Sequence, residues 1–348
     1  MESKVAYNAF FALLRAGLWN REPDGGCFPL SPDVWKKIYR LARKQTVEGI
    51  VYDGIMQLSD ACFPPKDLLM EWVIRLNSIE NDNKRMNRII GEIRTLFAKN
   101  HIAALLVKGQ GVAASYDNPL HRVCGDIDWS FPDKENFDRA NSLMKRKRIK
   151  IRQQAGFSTY YVYKGVLVEH HRHLLDISNP FLSGYLRRIQ QQEEALSAYM
   201  DAWEQKIPLP SPVLTHLSVN SHILKHLLAF GISLRQLCDS ARVCSAYHSR
   251  TEAELLKEIY HKLGIYPWIQ LLNRLLVDYL GMPEEYLLFP PAPHSKADFM
   301  IKDVLQGGSF GFYGGPFSKE TDIARVRRKH VWLQLLVRWS RYVRYAPW

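Results

Sequence analysis

Two aspartates one residue apart, Asp126 and Asp128, stand inside an otherwise apolar segment, Asp126-Ile127-Asp128-Trp129-Ser130-Phe131. In an extended strand, residues i and i+2 share a face. Both carboxylates then project side by side while Ile127 turns to the opposite, buried side. Carboxylates this close repel each other unless a cation lies between them. Hard oxygen donors suit Mg²⁺, with Mn²⁺ as the alternative, and Mg²⁺ completes its shell with water and substrate phosphates. The chemistry such a pair can do is metal-assisted displacement at phosphorus. The bland alternative is two surface acids on an edge strand, but Asp is depleted in strands and the pattern needs a reason.

The elements that must position this pair can be read on either side of it. Residues 102–107 are a short apolar run, predicting a buried strand, and Lys108-Gly109-Gln110-Gly111 follows directly. Glycine lets backbone N–H groups approach a phosphate, a helix start over 109–117 favours anions, and Lys108 can hold a β- or γ-phosphate. A turn glycine beside an exposed lysine is the plainer reading. Arg122 lies four residues before Asp126, and it either forks onto a phosphate or orients Asp126 by a salt bridge. Val166-Leu167-Val168 predicts a further strand, from which Glu169 would present a third carboxylate as metal ligand or base. The alternative is a solvated strand acid. His171 and His173 share the face of Glu169 and make a zinc set conceivable, while His170 faces away; histidines that merely hydrogen-bond are commoner. His222 and His226 are one helical turn apart, with Ile223 where a zinc-protease motif needs Glu, so they read as packing or nucleotide-facing residues. Arg235 and Asp239, also i,i+4, read as an intrahelical salt bridge.

Taken together, Lys108-Gly109, Tyr116, Arg122 and Gly125-Asp126-Ile127-Asp128 resemble the core motif of the DNA polymerase β-like nucleotidyltransferase superfamily. The pattern is similar to its branch of uncharacterised bacterial nucleotidyltransferases, common in Bacteroides-like bacteria, and to the layout of abortive-infection nucleotidyltransferase toxins. The resemblance is motif-deep from Leu105 to His173. Over the helical remainder it is one of layout, with His226…Leu234-Arg235…Asp239 resembling a helical segment of the family. It implies transfer of a nucleoside monophosphate from an NTP, ATP by default, to the hydroxyl of a small molecule, a protein or an RNA end. Asp126, Asp128 and Glu169 would be the metal-binding and catalytic acids. Lys108, Gly109, Gln110 and Arg122 would contact the nucleotide, and Arg235 and Asp239 would close over nucleotide or acceptor. One departure stands out: no serine follows Gly109, where the superfamily has Gly-Ser or Gly-Gly. That departure motivates an alternative, a fold kept as a non-catalytic binding module, which a Glu169 turned away from the aspartates would favour. Phosphorylation of a target is a third reading, separable by product mass.

Composition sets outer bounds. With 348 residues, 47% hydrophobic content and nine Trp, the chain can bury a sizeable core, which excludes general disorder. A net charge of +12 is consistent with a polyanionic partner such as NTP, RNA or an anionic membrane surface, and equally with plain solubility charge. The five cysteines lack a C-x-x-C pair, which argues against a disulfide scaffold or zinc site and for a reducing cytoplasm. No apolar run is long enough for a transmembrane span. Periodicity divides the chain into a helical region over 1–100, a stretch of short strands and helices over 101–177, which the resemblance implies is the nucleotidyltransferase core, and a second helical region over 178–348. This is an α+β protein: a small mixed β-sheet core embedded in helices. A long helix is expected over 67–99 with a break at Glu80–Lys84, a helix ending in the basic run Lys145–Arg148, and a hairpin around Lys164-Gly165. Residues 208–212 read as a linker and a helix start, and 281–318 as irregular. The basic, amphipathic stretch 321–342 reads as docking on the body, with RNA or membrane contact as the alternative.

Overall fold

Apolar positions at helical spacing organise the first hundred residues, seen here in a computed structural model. It describes residues 2–307, apart from 24–25, 155–157, 176–179, 195–197, 203–204, 230 and 294–296. The stretch 321–342 lies outside the described residues. Helices α1 (Glu2–Trp19), α2 (Pro32–Lys44), α3 (Glu48–Ile55) and α4 (Lys66–Lys99) come first. Pro32 opens α2, where its missing N–H leaves no helical bond unmade.

The break expected at Glu80–Lys84 does not occur, and α4 runs unbroken for 34 residues. Asn83 explains this. It is fully buried, and its Nδ2 donates to the carbonyls of Leu120 (2.6 Å) and Arg122 (2.9 Å). Its Oδ1 accepts from Gln110 Nε2 at 2.8 Å. Tertiary partners thus outweigh the weak helix propensity of a polar stretch.

The sheet follows: β1 (Leu105–Val107), the one-turn α5 (Gly109–Ala113), β2 (Asp126–Ser130), α6 (Lys134–Arg146), β3 (Arg152–Gln154), β4 (Ser158–Tyr163) and β5 (Val166–His171). The strand order is β1-β2-β5-β4-β3, with β2 and β5 parallel and the other neighbours antiparallel. Alternation splits its side chains. Leu106, Ile127, Trp129, Tyr161 and Val168 turn to the back and pack on Phe97 of α4 and on Phe137 and Met144 of α6. Each fully buried large side chain there contributes roughly 2 to 3 kcal/mol. The acids turn to the front.

Helix α7 (Pro180–Glu194) leads to a hairpin, β6 (Ala198–Ala202) and β7 (Gln205–Leu209), within which Pro208 sits. The linker expected from Pro208 onward therefore begins as a strand, and an edge strand tolerates proline because it need not donate on both sides. Helices α8 (Pro212–Ala229), α9 (Leu234–Tyr247), α10 (Ala253–Lys262), α11 (Tyr266–Leu280) and α12 (Asp298–Gly307) complete the described chain. Part of 281–318 is thus regular, since α12 lies within it. Phe10, Leu14 and Trp35 share one apolar core with Leu217, Leu237, Trp268 and Leu272, so the first and last helices close on each other. Val107 and Val112 join that core from the β1–α5 turn. Among the described residues, no helix is long and apolar enough to cross a membrane.

Candidate active site on the acidic face of the sheet

Strand register assembles the acids. Asp128 lies opposite Glu169 across the parallel β2–β5 pair and opposite Val107 across β1–β2. Asp126, two residues earlier, faces the same side as Asp128, and His171 faces the same side as Glu169. Glu169 turns toward Asp128: donor atoms of Asp128, Glu169 and His171 all lie within 4.8 Å of one another, a group among the described residues that does not include Asp126. His171 Nε2 is 2.6 Å from Asp128 Oδ1 and 3.4 Å from Glu169 Oε2, while its Nδ1 lies 3.1 Å from Ser158 Oγ. Lys108 Nζ completes the set, 3.4 Å from Asp128 Oδ1.

The turn after β1 puts that ammonium there. Lys108 has φ +52° and Gly109 has φ +28°. A Cβ on Gly109 would lie 3.0 Å from the carbonyl oxygen of Asp126, so the turn closes tightly over β2 only because glycine occupies it. A lysine at φ +52° and ψ −147°, a positive-φ region that side chains seldom adopt, costs about 1 to 3 kcal/mol. Attraction to three carboxylates acts on the same residue and favours the strained turn.

The electrostatics are those of excess negative charge. Burial, then the charges of Asp128 and Glu169, push the Asp126 carboxyl up to about 7, with Lys108 and Arg235 opposing. Glu169 is raised for the same reasons, burial first and Asp128 second, eased by His171 and Lys108. Asp128 goes the other way. Burial works against its charge, but Lys108 and the His171 hydrogen bond outweigh it and hold the carboxyl well below the usual range. Lys108 is raised overall, since the three carboxylates more than offset its burial. Burial drives His222, close enough to feel Lys108 and Asp128, strongly toward its neutral form. The clustered donors Asp128, Glu169 and His171, with the Asp126 carboxylate close enough to feel both acids, fit a divalent cation that would offset the burial and mutual repulsion of these acids.

Other residues singled out by sequence lie elsewhere. Arg122 is buried and spends its fork on Asp239, Nε to Oδ1 at 2.6 Å and Nη2 to Oδ2 at 2.7 Å. Of the two partners expected from the sequence, Asp126 is thus not the one its fork meets. Tyr116 donates to the same Asp239 Oδ1 at 2.7 Å. Asp239 accordingly makes no intrahelical bridge with Arg235. Arg235 instead donates through Nη1 to the Val123 carbonyl at 2.7 Å, and its buried Nε has no partner among the described residues. The Gln110 side chain is buried against Asn83 rather than at the acids. His173 is not among the clustered metal-donor groups found in the described residues. The sequence offers His171 as a zinc-ligand candidate, and the structure sets it against Asp128. Its i+2 relation to Glu169 was the signal for its true neighbour, Asp128. Nothing in the sequence pointed to Asn83 or Ser158.

Acids on adjacent parallel strands of a small mixed sheet, set among helices, define a nucleotidyltransferase-type architecture. A family model described as "Uncharacterised nucleotidyltransferase" matches residues 31–281, and the chain belongs to that family. Among solved structures it is similar to an antigenic nucleotidyltransferase-like protein from Paracoccidioides brasiliensis. The identity is 13% and the TM-score 0.32, covering 63% of this chain and 96% of that one. No curated protein matches.

Proposed function

We propose that this protein transfers a nucleoside monophosphate from an NTP to a hydroxyl acceptor, with Mg²⁺ or Mn²⁺ held by Asp126, Asp128 and Glu169. The observation that carries the reading is the pairing of Asp128 with Glu169 in register, with Asp126 on the same face and Lys108 Nζ 3.4 Å from Asp128. When bound, the cation neutralises triphosphate oxygens and lowers the cost of charge on the attacking and leaving oxygens. Lys108 holds a non-transferred phosphate as a point charge. The tight Gly109 turn lets backbone N–H groups approach the phosphates. Arg235, whose charge reaches Asp126, supplies a second cation near the acids. The acceptor oxygen attacks the α-phosphorus, the bond from that phosphorus to the bridging oxygen breaks, and pyrophosphate leaves. The acceptor proton passes to the Glu169 carboxylate on the same face of the sheet. Unpaired cysteines suit a reducing, NTP-rich cytoplasm.

Calorimetry with ATP and Mg²⁺ on wild type and Asp128→Ala tests the reading. Binding that needs both the metal and Asp128, weakened about 100-fold or more in the variant, is the expected result, a loss of about 2.7 kcal/mol. A folded wild type that binds no NTP would overturn it in favour of a non-catalytic interaction module. Product mass separates nucleotidyl from phosphoryl transfer.

A further inference from the structure

The row that joins Asp128 to Glu169 continues across the sheet. Tyr160 lies opposite Glu169 on β4, and Arg152 lies opposite Tyr160 on β3. Strands lie about 4.8 Å apart, so the Arg152 Cα sits about 14 Å from that of Asp128, on the same face. This part of the face is open. Tyr160 is half-buried, and Val162, next on its side of β4, is 61% exposed.

Strand β3 is the edge of the sheet among the described residues, and the chain reaches it through the run Lys145–Arg148 and Lys150. Six of the eight residues from 145 to 152 are basic, and all six are exposed. None pairs with a carboxylate among the described residues. Nearby cations behave differently: Lys134 is paired with Asp138, Arg139 with Glu135 and Lys164 with Glu92. Six like charges held together without counter-charges repel one another, and a polyanion relieves that repulsion.

We infer that the β3 edge and the open face of β4 bind a single-stranded polynucleotide and lead its terminal hydroxyl to the acids. The cations would neutralise successive phosphates, and the Tyr160 ring, between Arg152 and Glu169, would stack on a base. An aromatic ring and a small apolar side chain beside a basic edge suit unpaired bases, whose faces a duplex hides. The direction of the track rests on the nucleotidyl-transfer reading; binding itself does not.

The test is fluorescence anisotropy on the full chain with labelled single-stranded RNA and DNA of about 20 nucleotides, without NTP, at low and physiological salt. The combined variant Lys147→Gln, Arg148→Gln, Lys150→Gln, Arg152→Gln is expected to weaken binding about 10- to 100-fold and flatten its salt dependence. Tyr160→Ala should cost about tenfold and Tyr160→Phe should restore it. Tighter RNA than DNA binding would mean that 2′-hydroxyls are read, and equal binding that phosphates and bases suffice; each supports the track. Wild-type affinity in the fourfold variant would overturn the inference, as would equally effective displacement by duplex or by polyglutamate. ATP calorimetry on the same proteins separates the two ideas. Metal-dependent ATP binding without oligonucleotide binding sinks the track alone, and oligonucleotide binding without ATP binding sinks nucleotidyl transfer alone.

Discussion

Two charged clusters lie close together in this protein and are built on opposite plans. In one, Arg122 and Asp239 are both buried and matched fork to fork, with Tyr116 adding a third hydrogen bond. In the other, three carboxylates gather around Lys108 and His171, and burial followed by the charges of Asp128 and Glu169 lifts Asp126 to about 7. The first is balanced and closed, and it ties α9 to the loop before β2. The second carries negative charge that folding alone does not require. A buried pair that satisfies itself reads as architecture, whereas a cluster left short of positive charge reads as a place for a ligand.

Asp128→Ala breaks the second cluster. Turnover should fall about 10⁴-fold, a loss near 5 kcal/mol of transition-state stabilisation, in an NTP-dependent pyrophosphate-release assay. Its stability loss in urea should be smaller than that of Asp239→Ala, because losing the Lys108 and His171 contacts is partly offset by relief of the repulsion on Asp126 and Glu169. Asp239→Ala breaks the first cluster and should do the reverse. It strands a buried guanidinium and should cost about 3 to 5 kcal/mol in urea unfolding. Equal stability losses in these two variants would erase the distinction drawn between the clusters. Asn83→Leu, which leaves the Leu120 and Arg122 carbonyls without their donor, should cost about 2 kcal/mol in the same experiment.

The smallest expected effect sharpens the comparison most. The folded state raises the Asp126 carboxyl from its ordinary 3.8 to about 7, so it binds that proton more tightly than the unfolded chain does. Metal-free stability should therefore fall as pH rises between those values, by linkage. Asp126→Asn should match wild type near pH 4 and exceed it by about 1 to 2 kcal/mol at pH 8. Thermal unfolding across that range in a chelator, and then in Mg²⁺, checks it. Mg²⁺ should stabilise wild type and leave the variant unmoved.

Adjacent histidines show how much of the site could be read in advance. His170 and His171 are neighbours in the chain, and strand alternation alone sends them to opposite faces. His170 is buried between Phe97, Phe131 and Tyr161, hydrogen-bonds Tyr161 and Asn141, and burial drives its pKa down to about 3. His171 sits against Asp128. The alternation was legible, and with it the shared face of Asp126, Asp128, Glu169 and His171. The Gln110–Asn83, Arg122–Asp239 and Tyr116–Asp239 pairings were not, since they span 27 to 123 positions of the chain.

The sequence by itself determined what local rules govern: helices from apolar spacing, strands and their faces from alternation, and the tight turn at Lys108-Gly109. It carried the family through the spacing of Lys108, Arg122, Asp126 and Asp128. The tertiary structure alone decided that Asp128 meets Glu169 in register, that Arg122 closes on Asp239, and that α4 runs unbroken past Asn83. These outcomes depend on which distant groups arrive to satisfy a buried polar atom. A buried donor or acceptor finds its partner through space, and chain order holds no record of which one it will be.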